Sequence, residues 1–84
     1  MFSIDITLED SRLTATSSNG EDWICTSRDN LTGREHHFAC SNQAILAIIN
    51  LAVDYNGMPE GHEKFYALAE PLFKDVPIEC RFIP

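Results

Sequence analysis

Leu13-Thr14-Ala15-Thr16-Ser17-Ser18-Asn19-Gly20-Glu21-Asp22-Trp23-Ile24-Cys25-Thr26 is the stretch that decides the fold class. Two runs rich in Thr, β-branched and aromatic residues flank Asn19-Gly20, the dipeptide preferred in two-residue hairpin turns whose central residues need positive φ. Such a hairpin sets a register. Leu13 faces Thr26, Ala15 faces Ile24 and Thr16 faces Trp23. Leu13, Ala15 and Ile24 then share one face of the ribbon, while Thr14, Thr16, Trp23 and Cys25 share the other. If helices cover the aliphatic face, Trp23 stays on the open side as a large, rigid anchor for a partner. Cover on the other face makes it core instead, the commoner fate of tryptophan.

Working outward towards the N-terminus, Phe2, Ile4, Ile6 and Leu8 alternate with Ser3, Asp5 and Thr7, the period of a half-buried strand. Glu9-Asp10-Ser11 supplies a turn between this strand and the hairpin. On the other side, Asp29-Asn30-Leu31-Thr32-Gly33 is a loop and residues 34–40 form a fourth strand. The result is an antiparallel meander, in which the first and third turns lie at the same end of the sheet. Glu9, Asp10 and Asp29 therefore gather into an acidic rim that their sequence spacing conceals.

The period then changes. Ser41 is an N-cap for a helix over residues 42–55, and Asn56-Gly57 stops it. Ile45, Ile48, Ile49 and Ala52 form one stripe, while Leu46, Ala47 and Val53 lie off it. A helix apolar on nearly all sides is buried between layers or against another chain. After Met58-Pro59-Glu60-Gly61, a second helix carries Phe65, Leu68, Ala69, Leu72 and Phe73 on one face, with Pro71 kinking it or restarting it as a short turn. Beyond Val76-Pro77, the alternation of Ile78, Cys80 and Phe82 predicts a last strand. The predicted fold is α+β in the order ββββααβ, one domain over residues 1–84, with both helices on one face of the sheet.

Composition narrows the function classes. The 84 residues are 44% hydrophobic, enough for a globular core, and carry thirteen acids against six bases for a net charge of −7. A bare phosphate backbone is repelled by such a chain, so direct nucleic-acid binding is disfavoured. The acids are spread along the chain and leave solubility and recognition of a basic protein surface as two readings of the charge. Cys25, Cys40 and Cys80 are odd in number and far apart, unlike a disulfide scaffold. The first residues lack the basic and apolar segments of a secretory signal. The longest apolar-rich run, residues 44–53, is too short to span a bilayer. Together these predict a soluble cytoplasmic protein with no membrane partner.

Motifs for chemistry are weak. His36, His37 and His62 with three scattered cysteines offer zinc ligand types without the close pairs of structural sites. Adjacent histidines on a strand also point to opposite faces. His62-Glu63-Lys64-Phe65-Tyr66 begins like the helical zinc-protease motif, but Tyr66 stands where the second histidine belongs. No nucleophile elbow or glycine-rich phosphate cradle is present. The expectation is a non-enzymatic protein-binding module without cofactor or metal, with Glu9, Asp10, Asp29 and Trp23 as its candidate partner-binding residues. By composition it fits the inhibitors and adaptors that bacteriophages and other mobile elements direct at host nucleic-acid-handling or defence proteins. The alternatives are a homo-oligomeric assembly protein, dimerising through helix 42–55, and a small metal- or thiol-dependent enzyme.

Overall fold

The computed structural model describes residues 1–74. Strands β1 (Phe2–Thr7), β2 (Ser11–Ser17), β3 (Asp22–Asp29) and β4 (Glu35–Ser41) precede helices α1 (Asn42–Asp54) and α2 (Gly61–Ala69). A 3-10 turn over Glu70–Leu72 then leads to the short strand β5 (Phe73–Lys74). The sheet runs β1-β2-β3-β4-β5 with every neighbouring pair antiparallel. This is the α+β meander that the sequence predicts, followed by two helices and a returning strand.

The returning strand comes earlier than expected. Pro71 lacks an N–H and clashes with the preceding helical turn, so α2 stops at Ala69 and the chain tightens into the 3-10 turn. Leu72 and Phe73 thereby leave the predicted helical stripe. Phe73 is already extended, and its ring stacks on Phe38 of β4 at 4.1 Å. The strand expected over Ile78, Cys80 and Phe82 falls outside the described residues.

The hairpin register also differs from the two-residue prediction. Ala15 pairs with Cys25 and Thr16 with Ile24, one residue out of step. The cause is local hydrogen bonding. Among the described residues Glu60 is the only non-glycine at positive φ, so Asn19 does not adopt the backbone of the predicted turn. Instead its Oδ1 accepts the N–H groups of Glu21 and Asp22 at 2.9 and 3.0 Å, while Ser17 Oγ accepts from Gly20 at 2.8 Å. The loop opens to hold these bonds.

A slip of one residue exchanges the faces of a strand. Leu13 and Ala15 therefore share the helix-covered face with Trp23 and Cys25, and all four are buried. Trp23 is 7% exposed, and its Nε1 donates to Asn42 Oδ1 at the start of α1. It is core rather than an exposed anchor. Physically, this register collects the hairpin's largest apolar side chain with its aliphatic ones on one face. Ile24 is left half-buried on the other.

Ser41 caps α1 as predicted, its Oγ accepting the Ala44 N–H. Ile45, Ile48 and Ala52 enter the core with Phe65 and Ala69 of α2. Leu46 points outward at 68% exposure, so the helix is not enclosed on all sides. The turn between the helices is unusually close. A Cβ on Gly61 would lie 2.0 Å from the Tyr55 carbonyl oxygen, so α2 can begin against the end of α1 only because that side chain is absent.

Candidate functional site

The end of the sheet that carries the first and third turns is tied together by hydrogen bonds between distant segments. Within the first turn, the Leu8 N–H donates to Ser11 O at 2.8 Å. Within the β3–β4 loop, the Gly33 N–H donates to Asp29 O at 2.8 Å. The Asp29 carboxylate accepts the Leu31 N–H and the Thr32 hydroxyl, shaping the loop from inside. The Asn30 N–H then donates to Asp10 O at 2.8 Å, joining the two turns. Asn56, just past α1, accepts the Asp10 N–H on its Oδ1 at 3.0 Å. The helix end is thus anchored to the first turn, 46 residues away in sequence.

This frame brings Glu9, Asp10 and Asp29 to one end of the molecule. A Cβ on Gly57 would sit 3.8 Å from Asp10 Oδ2 and 4.0 Å from Glu9 Oε2, so both carboxylates lie beside the interhelical turn. Two further acids, Glu60 and Glu63 at the start of α2, join them. With Asp10 and Asp29 they line a cleft of about 250 Å³, from which Glu9 is absent. Buried Ala52 and Phe65 form its floor, and exposed Leu31 and Met58 stand at its edge. Trp23 does not contribute, since it lies in the core beside α1.

The electrostatics are uneven around the cleft. Desolvation works against charging Asp29, but the Leu31 N–H and the Thr32 hydroxyl outweigh it together with His62. The carboxyl is held below its ordinary range and is ionised at neutral pH. Glu63 pairs with Arg34 at 2.9 Å across an exposed edge. Glu60 has a left-handed backbone at φ 54° and makes no side-chain capping bond to its own helix. Its carboxylate is therefore not spent on the N-terminus of α2.

His62 lines the same cleft. Its Nε2 is buried and has no hydrogen-bond partner among the described residues. The ring of His36, from β4, stacks on His62 with centroids 4.8 Å apart and on Tyr66 with centroids 3.8 Å apart. His62 and Tyr66 are one helical turn apart, so both reach the same strand residue. Tyr66 thus takes a packing role at the position where a zinc-protease motif has its second histidine. Burial pushes both imidazoles down from their ordinary value. Arg34 adds to the effect at both, whereas Asp29 and Glu63 pull His62 partly back.

The two adjacent histidines do face opposite ways. His37 turns to the open side of the sheet, where its Nδ1 lies 3.3 Å from Thr26 Oγ1. Cys25 and Cys40 meet in the core with sulfurs 3.9 Å apart. Hydrogen bonding to Cys40, with burial, pushes the Cys25 thiol strongly up and leaves it protonated. Among the described residues no three His, Cys, Asp or Glu side chains are grouped to hold a metal ion. Nor is any described helix long and apolar enough to cross a membrane.

Sequence spacing alone misses Glu60, Glu63 and the His36–His62 stack as parts of this site. The signal for the stack was the placement of His62 and Tyr66 four residues apart on one helix face. No protein-family model, curated protein or solved structure matches the chain.

Proposed function

We propose that the chain is a non-enzymatic protein-binding module that receives a basic segment of its partner in the acid-lined cleft. One observation carries this reading: Asp10, Asp29, Glu60 and Glu63 surround a concavity with an apolar floor. Lys and Arg side chains match both features. Their stems lie along apolar surface while the charged head stays among carboxylates and water. Complementary charge mainly accelerates association and selects the partner. An inhibitor or adaptor aimed at a nucleic-acid-handling protein of a phage host is the form this binding takes in our reading, because such proteins carry basic faces.

The test is binding of a tetra-arginine peptide to the wild type and to Asp10→Lys with Glu60→Lys. Weaker binding by the double variant, with the difference shrinking at high salt, supports the cleft. Equal affinity removes it. A second reading, self-association through α1, is favoured by the exposure of Leu46 and Val53 on that helix. Light scattering over a range of concentrations tests it, and a constant monomer mass rejects it.

A further inference from the structure

We propose that His62 is an acid-operated gate on the cleft: a proton taken up by His62 sets a positive charge in the cleft wall and expels a basic ligand. The inference rests on the cleft reading above and adds its regulation. It starts from geometry. His62 belongs to both the cleft lining and the His36 stack, and its Nε2 is buried without a partner among the described residues. A neutral imidazole with an idle nitrogen can take a proton there without breaking an existing hydrogen bond.

The surroundings decide where that proton goes. From the end of β3, Asp29 attracts charge on His62, and from the β3–β4 loop Arg34 opposes it. From its own helix, Glu63 attracts it, while Glu60 and Asp10 line the same cleft from the two neighbouring turns. His36, on β4, is opposed by His62, Arg34 and His37, with no carboxylate acting in its favour. No carboxylate thus favours a charge on His36, whereas carboxylates favour one on His62, on the wall of the cleft. A cation fixed there uses the field of Asp29 and Glu63 that an incoming Lys or Arg would otherwise use. The two cations compete for the same carboxylates, and partial desolvation strengthens their repulsion.

The sign follows from linkage. Burial holds His62 below the ordinary imidazole value of 6.5, so at pH 7.5 it is neutral and adds no positive charge to the cleft. Acidification through and below 6.5 charges it. Asp29 keeps its charge over this interval, because its carboxyl is held below its ordinary range. Ligand and proton then exclude each other reciprocally, so binding of the basic segment lowers the proton affinity of His62.

The experiment measures tetra-arginine affinity at pH 7.5 and 5.5, at constant ionic strength, with wild type, His62→Phe, His36→Phe and His37→Gln. Wild-type affinity is expected to fall about fivefold or more, the lower end of ordinary site-to-site coupling. His62→Phe is expected to lose this pH ratio, whatever its affinity at pH 7.5. His36→Phe and His37→Gln are expected to keep it, His37 lying across the sheet. His62→Gln serves as a second neutral variant if the phenylalanine protein does not fold, and histidine proton resonances follow the titration of each ring directly. Equal wild-type affinity at both pH values, or an unchanged ratio without His62, overturns the gate and leaves the cleft standing. Binding at neither pH overturns the cleft, and the gate falls with it.

Discussion

The two ends of the sheet reverse the chain by different means. The β2–β3 turn is shaped from within, as Ser17 and Asn19 accept the N–H groups of Gly20, Glu21 and Asp22 across two or three residues. Only its far flank is tied outward, by the Asn42 N–H to Glu21 O at 2.7 Å and by the Lys74–Asp22 ion pair. At the other end the ties are long. Asn30 reaches Asp10, Asp10 reaches Asn56, and Arg34 reaches Glu63 across 29 residues. The β2–β3 turn takes its shape from its own side chains. An end built from four distant segments brings together side chains that share no local role, and the cleft lies there. The contrast separates turn chemistry from site chemistry, and substitutions at each end should behave differently.

The largest effect should come from Gly61→Ala. A methyl group 2.0 Å from the Tyr55 carbonyl cannot be accommodated without moving α2. A loss of about 3 kcal/mol, the upper part of the overpacking range, is expected in chemical denaturation. The cleft should open with it, because α2 supplies Glu63, His62 and the Phe65 floor. An unchanged midpoint would mean that the helices do not meet as described.

Gly20→Val tests the opposite end. Gly20 has φ of 77°, and a β-branched residue there costs roughly 1–2 kcal/mol. Cleft binding should nevertheless be retained in the folded fraction. Parallel loss of stability and affinity would show that the two ends are coupled and that the comparison fails.

Asn56→Ala should cost less stability, about 1 kcal/mol for one partly buried hydrogen bond. Unlike Gly20→Val it should also weaken binding, because Asn56 anchors the helix end to the Asp10 turn. Thermal melts and peptide titrations on both variants compare the ratio of the two effects directly.

Much of this architecture is legible in the sequence because its signals are local. The Ser41 cap, the stop at Asn56-Gly57 with Gly57 at φ 78°, and the alternation of β1 depend on neighbours a few residues apart. The joining of turns one and three also follows from topology alone. The register does not, because Asn19-Gly20 is compatible with more than one loop. Side-chain bonds from Asn19 and Ser17, together with burial of Trp23, select the wider one. Glu60 and Glu63 enter the site only through the docking angle of α2, which a steric fact at Gly61 sets and no periodicity reveals. The end of α2 shows the same limit. Phe73 fits a helical stripe on paper, but Pro71 turns the chain so that it stacks on Phe38 instead.

Acid should weaken the fold at the long-range end before it affects the hairpin end. His36 and His62 are both depressed from 6.5 in the folded protein, so the unfolded chain takes up protons first as pH falls. Stability is full above about pH 6.5 and declines as pH drops through that value towards the folded ones. Asp29 adds a second loss at lower pH. Its folded value lies below 3.8, so its contribution is present above that value and disappears as pH falls through the depressed one. Melting curves of wild type and of the His36→Phe, His62→Phe double variant check the first step. The slope between pH 7 and 5 should flatten in the double variant, and an equal slope would place the titration elsewhere.

The smallest expected effect concerns Glu9, which shares the acidic end without lining the cleft. It makes no hydrogen bond with Asp29, so Glu9→Lys should leave the loop and the fold unchanged. A charge outside the contact surface acts on diffusing partners rather than on the bound complex, and does so within a Debye length of about 10 Å at 0.1 M salt. Glu9→Lys should therefore slow association of a basic partner while leaving its dissociation rate alone, and the difference should vanish at high salt. Asp29→Lys is not an equivalent change, because it also removes the acceptor for the Leu31 N–H and the Thr32 hydroxyl. Stopped-flow association at two ionic strengths separates these outcomes. A change in the dissociation rate on Glu9→Lys would place Glu9 inside the contact, extending the site from the cleft onto the first turn.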